Sequence, residues 1–173
     1  MALSKIDAAN FLDGTLPDTN INNASLDNVT GLPAAIATGT VLQVVQGIKT
    51  TSFVATSATY VATGLTADIT PSSTSSKILV LVRTDFDTRN NTSNVCGTVF
   101  RDSTNLGSGT QDALFRINPA VSGRIIAGQS ISFLDSPSST STLTYELYAK
   151  AASQFIAPGG EDTATIQLLE IEG

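Results

Sequence analysis

Short apolar and β-branched runs, separated by clusters of turn-forming residues, fill the sequence from residue 41 to its end. Such runs at a spacing of roughly 8–12 residues are typical of β-sandwiches and jelly rolls. No long window has the period of an amphipathic helix, and residues 151–154 fit one helical turn at most. Strands are predicted at residues 41–46, 52–56, 59–63, 65–70, 77–83, 95–101, 113–117, 129–134, 143–149 and 163–171. The sequence therefore predicts an all-β fold, an antiparallel β-sandwich or jelly-roll-like domain over residues 41–173, preceded by an extended N-terminal arm over residues 1–40.

The most apolar predicted strand is residues 77–83, Lys-Ile-Leu-Val-Leu-Val-Arg. Successive side chains of a strand point to opposite faces of the sheet, so both faces of this strand are apolar. We expect it to be central, with a second sheet on one face and a partner chain or a covering element on the other. The adjacent leucines Leu168 and Leu169 break strict alternation in the last strand, which indicates either a bulge or burial on both faces.

Apolar residues recur every five positions in the arm, a spacing that belongs to neither a helix nor a strand. Three interpretations remain open: turns of a β-helical stalk that needs neighbouring chains, an extended arm whose apolar residues bind another subunit, or a disordered tail with an accidental pattern. The candidate virion-docking residues of this arm are Ile6, Phe11, Leu16, Ile21 and Leu26.

The charge and composition exclude several classes of partner. The net charge is −6 and the nine basic residues are scattered singly, whereas nucleic-acid binding needs clustered Lys and Arg. An acidic chain is also a poor ligand for anionic membranes. We expect no signal peptide and no transmembrane segment, because the N-terminus has no apolar core and no apolar run is long enough. The single cysteine, Cys96, is expected to be a buried apolar residue.

The residue types needed for common enzyme chemistry are missing or ambiguous. The chain has no histidine, which excludes a Ser-His-Asp triad and a Cys-His pair. Asp85, Asp87, Glu161 and Asp162 are the carboxylates that a glycosidase could use. Asp85 and Asp87, with oxygens of the loop that follows, could also bind Ca²⁺. A polar hairpin loop after Asp87 and a turn around Glu161 are the simpler interpretations. We therefore predict no enzymatic activity, no catalytic residues, no cofactor and no metal site.

Four segments carry a resemblance to a known group of proteins. They are residues 65–82 with the run Ile-Thr-Pro-Ser-Ser-Thr-Ser-Ser-Lys-Ile-Leu-Val, the Arg-Asp-Ser-Thr turn at 101–104, the Phe-Leu-Asp-Ser-Pro element at 133–137, and Leu-Leu-Glu-Ile at 168–171. Together they resemble a module of phage tail fibres and related virion proteins, and the resemblance covers about residues 32–173. It implies a trimer with an N-terminal part attached to the virion and an exposed β-rich C-terminal part.

These observations lead to a functional expectation: a short homotrimeric fibre or tail appendage of a bacteriophage, used for attachment and host recognition. The arm would bind other virion proteins, and the domain could bind a host surface glycan or protein. The alternative is a capsid decoration protein, a cement or head-fibre protein that stabilises the shell. Either protein would be located in the virion, which is assembled in the host cytoplasm.

Overall fold

The structure, a computed structural model, describes residues 39–89, 94–118, 123–158 and 162–173. The described residues contain strands and no helix, and therefore no helix that could cross a membrane. The five arm residues lie outside the described part. The strands are β1 (Val41–Lys49), β2 (Phe53–Ile69), β3 (Lys77–Asp87), β4 (Val95–Arg101), β5 (Thr104–Asn105), β6 (Phe115–Ile117), β7 (Ile126–Asp135), β8 (Leu143–Ala157) and β9 (Ala164–Ile171).

The strands form two antiparallel sheets of four strands each, of which the three-residue β6 is the shortest. Sheet I has the order β1-β9-β3-β7, and sheet II has the order β2-β8-β4-β6. The short β5 extends β4 as a hairpin, and the pair Asp87 and Ile156 links the two sheets. Two four-stranded sheets joined in this order form a jelly roll. The predicted all-β sandwich is confirmed.

Alternation along the strands builds the core between the sheets. On β3 the side chains of Ile78, Val80, Val82 and Phe86 are buried and point towards sheet II. Sheet II contributes a similar set of buried side chains, and the two sets form a single core cluster. Full burial of one such aliphatic side chain is worth roughly 1.5–3 kcal/mol, so burial of these β3 side chains contributes a large share of the free energy of folding.

Several strands are longer than the sequence predicts, and β2 and β8 differ most. The three predicted segments at 52–56, 59–63 and 65–70 form the single strand β2, which has register shifts against β8. One shift surrounds Gly64, whose φ of +79° suits a bulge rather than a strand end. Residues 151–154, which fit one helical turn at most, continue β8, because Ala151 is buried in the core.

The adjacent leucines of β9 need no bulge. Both partner strands keep a continuous register past Leu168 and Leu169, so the bulge interpretation is wrong. Leu168 is buried in the core, and Leu169 lies half-buried on the opposite face of sheet I. This strand is therefore apolar on both faces, as β3 is.

The sandwich has two distinct ends, which the strand pairing defines. Gly39 and Val41 lie at one end beside Ile171, together with the links at 70–76 and 136–142. We call this the proximal end. The opposite, distal end holds the ends of the strands joined by residues 50–52, 88–94, 118–125 and 158–163, of which only part is described.

The close approach of β1 to β2 gives a test of the packing. A Cβ at Gly47 would overlap the carbonyl oxygen of Thr66 and would lie 2.9 Å from Cγ2 of Ile166. Gly47→Ala should therefore lower the free energy of unfolding by about 1–3 kcal/mol, as overpacked sites do. Gly128→Ala is the matched control, since nothing lies within 4 Å of its Cβ position. Thermal melting measures both variants, and equal melting temperatures would contradict this packing.

Candidate interaction surface

Four aliphatic residues form one row across the outer face of sheet I. Val44 of β1 pairs with Leu169 of β9, Leu169 pairs with Leu79 of β3, and Leu79 pairs with Leu134 of β7. Residues paired in this way on one face have Cβ atoms about 4.5–5.5 Å apart, so the four side chains adjoin. We call Val44, Leu169, Leu79 and Leu134 the aliphatic row.

The aliphatic row is open to solvent at both ends. Val44 is 61% exposed and Leu134 is 52% exposed, while Leu79 and Leu169 are half-buried. Among the described residues, all but one of the exposed large apolar side chains belong to β1 or β7, and the exception is Val54 of β2. A concentration of exposed apolar side chains on one sheet marks an interaction surface. The structure thus confirms that β3 is apolar on both faces, but the described residues leave Leu79 and Leu81 partly uncovered.

Mostly neutral side chains flank the aliphatic row on its distal side, whereas the next row on its proximal side pairs Ile171 with the exposed Lys77. On the distal side, the next register row contains Gln46, Gln167, Leu81 and Ser132 in the order of the strands. The row after it contains Ile48, Thr165, Arg83 and Ser130. Across these three rows, all within the described residues, Arg83 is the one ionisable side chain. This surface can therefore be covered by protein at little cost in desolvated charge.

At the distal end, Asp87 is buried and bound by two arginines. Arg124 donates from Nε to both carboxylate oxygens, at 3.1 and 3.0 Å, and its Nη2 lies 2.8 Å from Oδ2. Arg89 donates to the same carboxylate from its backbone N and from Nε, each at 3.2 Å. Burial raises the pKa of Asp87, but the hydrogen bonds and charges of Arg124 and Arg89 outweigh it and hold the pKa below its ordinary value. Asp87 therefore fixes the ends of two links, and the two arginines oppose cation binding there.

Asp85 lies apart from that cluster although it is only two residues away. It lines a cavity of about 240 Å³ together with Asp162, Gly128 and Arg83. Both carboxylate oxygens of Asp85 are buried without a hydrogen-bond partner. Glu161 lies outside the described residues. No group of three potential metal-ligating side chains occurs among the residues that the structure describes.

Cys96 lies in β4 and is buried, as predicted from the sequence. Burial raises the pKa of its thiol above the ordinary value. A thiol that is shielded and protonated is a poor nucleophile. Cys96 therefore acts as a packing residue.

The segments that carry the sequence resemblance meet at the proximal end. Glu170 accepts hydrogen bonds at Oε1 from the backbone N and the hydroxyl of Ser72, at 2.7 and 2.6 Å. Its Oε2 accepts a hydrogen bond from the amide of Gln43 at 2.6 Å. Burial raises the pKa of Glu170, but these hydrogen bonds outweigh burial and lower the pKa to about 2. One carboxylate thus ties β9 to β1 and to the link between β2 and β3.

Asp135 makes a second connection at the same end. Arg101 donates from Nη1 to Oδ2 of Asp135 at 2.6 Å, and the hydroxyl of Tyr145 donates to the same oxygen at 2.7 Å. Burial, and then the hydrogen bond to Asp135, raise the pKa of the Tyr145 phenol. Arg101 and Asp135 belong to two of the four segments of the resemblance. Those segments therefore share a structural role, since they hold strands of different sheets together.

The pKa of Glu170 predicts a pH dependence of stability. A carboxyl whose pKa is lower in the folded state stabilises the fold above its unfolded value, near 4.5, and this stabilisation is lost as the pH falls towards 2. Glu170→Ala should cost about 2–3 kcal/mol at pH 7, because the donors from Ser72 and Gln43 lose a charged partner. The cost should shrink at pH 3. Unfolding measured at both pH values checks this, with the exposed Glu172→Ala as control. An equal cost at both pH values would contradict the assigned ionisation.

No protein-family model and no curated protein matches this chain. Its backbone is similar to that of the VP2 protein of infectious bursal disease virus in two solved structures. For a mutant VP2 in derived T=1 particles the TM-score is 0.45 and the identity 12%, over 75% of this chain and 36% of that chain. For the VP2 subviral particle the TM-score is 0.43 and the identity 13%, over 76% of this chain and 37% of that chain. The chain thus spans little more than a third of VP2.

Proposed function

We propose that the chain is a non-enzymatic structural protein of a bacteriophage particle, acting as a short homotrimeric fibre or tail appendage in host attachment. The observation that carries the proposal is the polarity of the jelly roll. The described domain begins at the proximal end with Gly39, whereas the ends of the strands joined by residues 50–52 and 88–94 lie at the distal end. A domain attached at one end presents the links of its other end to a binding partner.

The contacts at the proximal end support the resemblance to virion proteins. The quoted segments are far apart in the sequence, yet Ser72 contacts Glu170 and Arg101 contacts Asp135. Residues that build one end of a domain together are expected to recur together in proteins that share that domain. The resemblance therefore concerns a folded unit rather than isolated turns.

The outer surface supports a role in assembly. The aliphatic row lies on a sheet face with neutral amides and hydroxyls beside it. Ser and Thr fill roughly a quarter of the chain, and charged residues make up only 14%. Such a surface suits a static particle, in which contacts are lasting and close packing matters more than steering by charge.

The buried carboxylates of Asp87 and Glu170 support a non-enzymatic role. A general acid or base must exchange a proton near the working pH. Asp87 is held as a carboxylate by Arg89 and Arg124, and Glu170 is held by Ser72 and Gln43. The chain has no histidine that could replace them. These two groups therefore serve the fold and not a reaction.

Location on purified particles tests the proposal. Antibody labelling should place the chain on the tail, and the purified full chain should compete with particles for adsorption to host cells. Labelling over the whole head shell would overturn the attachment role in favour of capsid decoration. Absence from purified particles would overturn the virion assignment itself.

The arm hypothesis is tested in the same system. Phe11→Ser with Leu16→Ser should abolish incorporation into particles, because several apolar anchors must act together to offset the ordering of an extended chain. The melting temperature of the isolated double variant should barely change, since the core lies within residues 41–173. The matched control is Asn10→Ser with Thr15→Ser, which keeps the spacing and leaves the apolar positions intact. Normal incorporation of the Phe11 and Leu16 variant would show that the five-residue spacing is accidental.

A further inference from the structure

We propose that copies of this chain bind one another through the outer face of sheet I, with the aliphatic row at the centre of the contact. The inference rests on the proposed function, since it names the surface by which the chain would form its oligomer. The occupant is another copy of this chain, which contributes the same face. Three properties of the described residues support it: position, charge and area.

The first property is the position of the exposed apolar side chains. Val44 and Leu134 lie on the two edge strands of sheet I, and Leu79 and Leu169 fill the row between them. The row therefore crosses the full width of the sheet without interruption. On sheet II, Val54 is the one exposed large apolar side chain among the described residues. The two outer faces of the sandwich thus differ, and one of them is suited to contact with protein.

The second property is charge. The chain carries a net charge of −6, so two copies repel one another overall. The aliphatic row, the two rows on its distal side and the Ile171–Lys77 pair on its proximal side contain no acidic side chain among the described residues, and Glu170 points inwards to Ser72 and Gln43. The amides of Gln46 and Gln167 both donate and accept hydrogen bonds. An aliphatic face with amide and hydroxyl neighbours is therefore complementary to a copy of itself, whereas a charged face would need an opposite partner.

The third property is area. Four strands about 4.8 Å apart and roughly eight residues long give a face of about 500 Å² in projection. The accessible area of a corrugated face exceeds its projection, which brings it to the level of the smaller specific interfaces, about 600 Å² per partner. Pairing at the edge is a weaker alternative, because β1 has an irregular register between Val41 and Gln43. Irregular edge strands resist the addition of another strand. The face, rather than the edge at β1, is thus the better contact.

The test measures the mass of the purified full chain by light scattering over a range of micromolar concentrations. The wild-type chain should form a defined oligomer. The resemblance implies three copies, which would place the outer face of sheet I against the threefold axis, where each copy contacts the other two. Val44→Lys and Leu134→Lys should each weaken assembly at least tenfold. Both side chains are already more than half exposed, so both variants should melt at the wild-type temperature. Val54→Lys is the matched control, since Val54 is also 52% exposed but lies on sheet II, and it should assemble like the wild type.

Each outcome has a defined meaning. A wild-type chain that stays monomeric throughout overturns the inference, and so does an oligomer that both face variants form at wild-type strength. Loss of assembly in Val54→Lys alone would place the contact on sheet II and would also overturn it. A monomeric chain that is nevertheless found on particles would refute this contact while leaving the virion assignment intact. If the chain self-associates through this face but is absent from particles, this contact stands and the virion assignment is refuted.

Discussion

The burial of one aliphatic face of each sheet against the other is the interaction on which the whole domain depends. Strand β3 lies inside sheet I and β8 lies inside sheet II, and the inward residues of both are almost completely buried. Because side chains alternate along a strand, this burial also determines on which face the remaining side chains lie. The remaining half of the side chains must form the two outer faces, and the links between strands must gather at the two ends.

Carboxylates fix the structure of the two ends of the sandwich, which the packing of the core alone does not determine. Asp87 at the distal end, and Asp135 and Glu170 at the proximal end, each accept hydrogen bonds from residues distant in the sequence. A buried carboxylate is costly unless donors surround it, so each of them requires its partners to be in place. The ends are thereby held to one arrangement. This explains why the segments of the sequence resemblance include polar residues such as Ser72 and Arg101.

The class of fold could be predicted from the sequence because alternation and turn residues are local signals. Strand β4 has the predicted bounds, and Ile131 and Ser132 alternate between core and solvent as expected. The lengths of β2 and β8 could not be predicted. In β2, Gly64 looks like the end of a strand in the sequence, and only the pairing with β8 shows that it lies in a bulge within one strand. The aliphatic row could be predicted from the sequence only in part. The sequence shows that β3 is apolar on both faces, but the alignment of four strands that are not neighbours in the sequence requires the register. The pairing of Asp87 with Arg124 was missed for the same reason, and the arm residues lie outside the described part.

We propose that the outer face of sheet I is covered in the functional protein. Footprinting of aliphatic side chains by a short-lived radical measures this coverage, with the wild-type chain compared in its assembled form and in dilute, dissociated form. We expect labelling of Val44 and Leu134 to fall severalfold on assembly, whereas labelling of Val54 should stay unchanged. Equal labelling of Val44 and Leu134 in the two forms would contradict it.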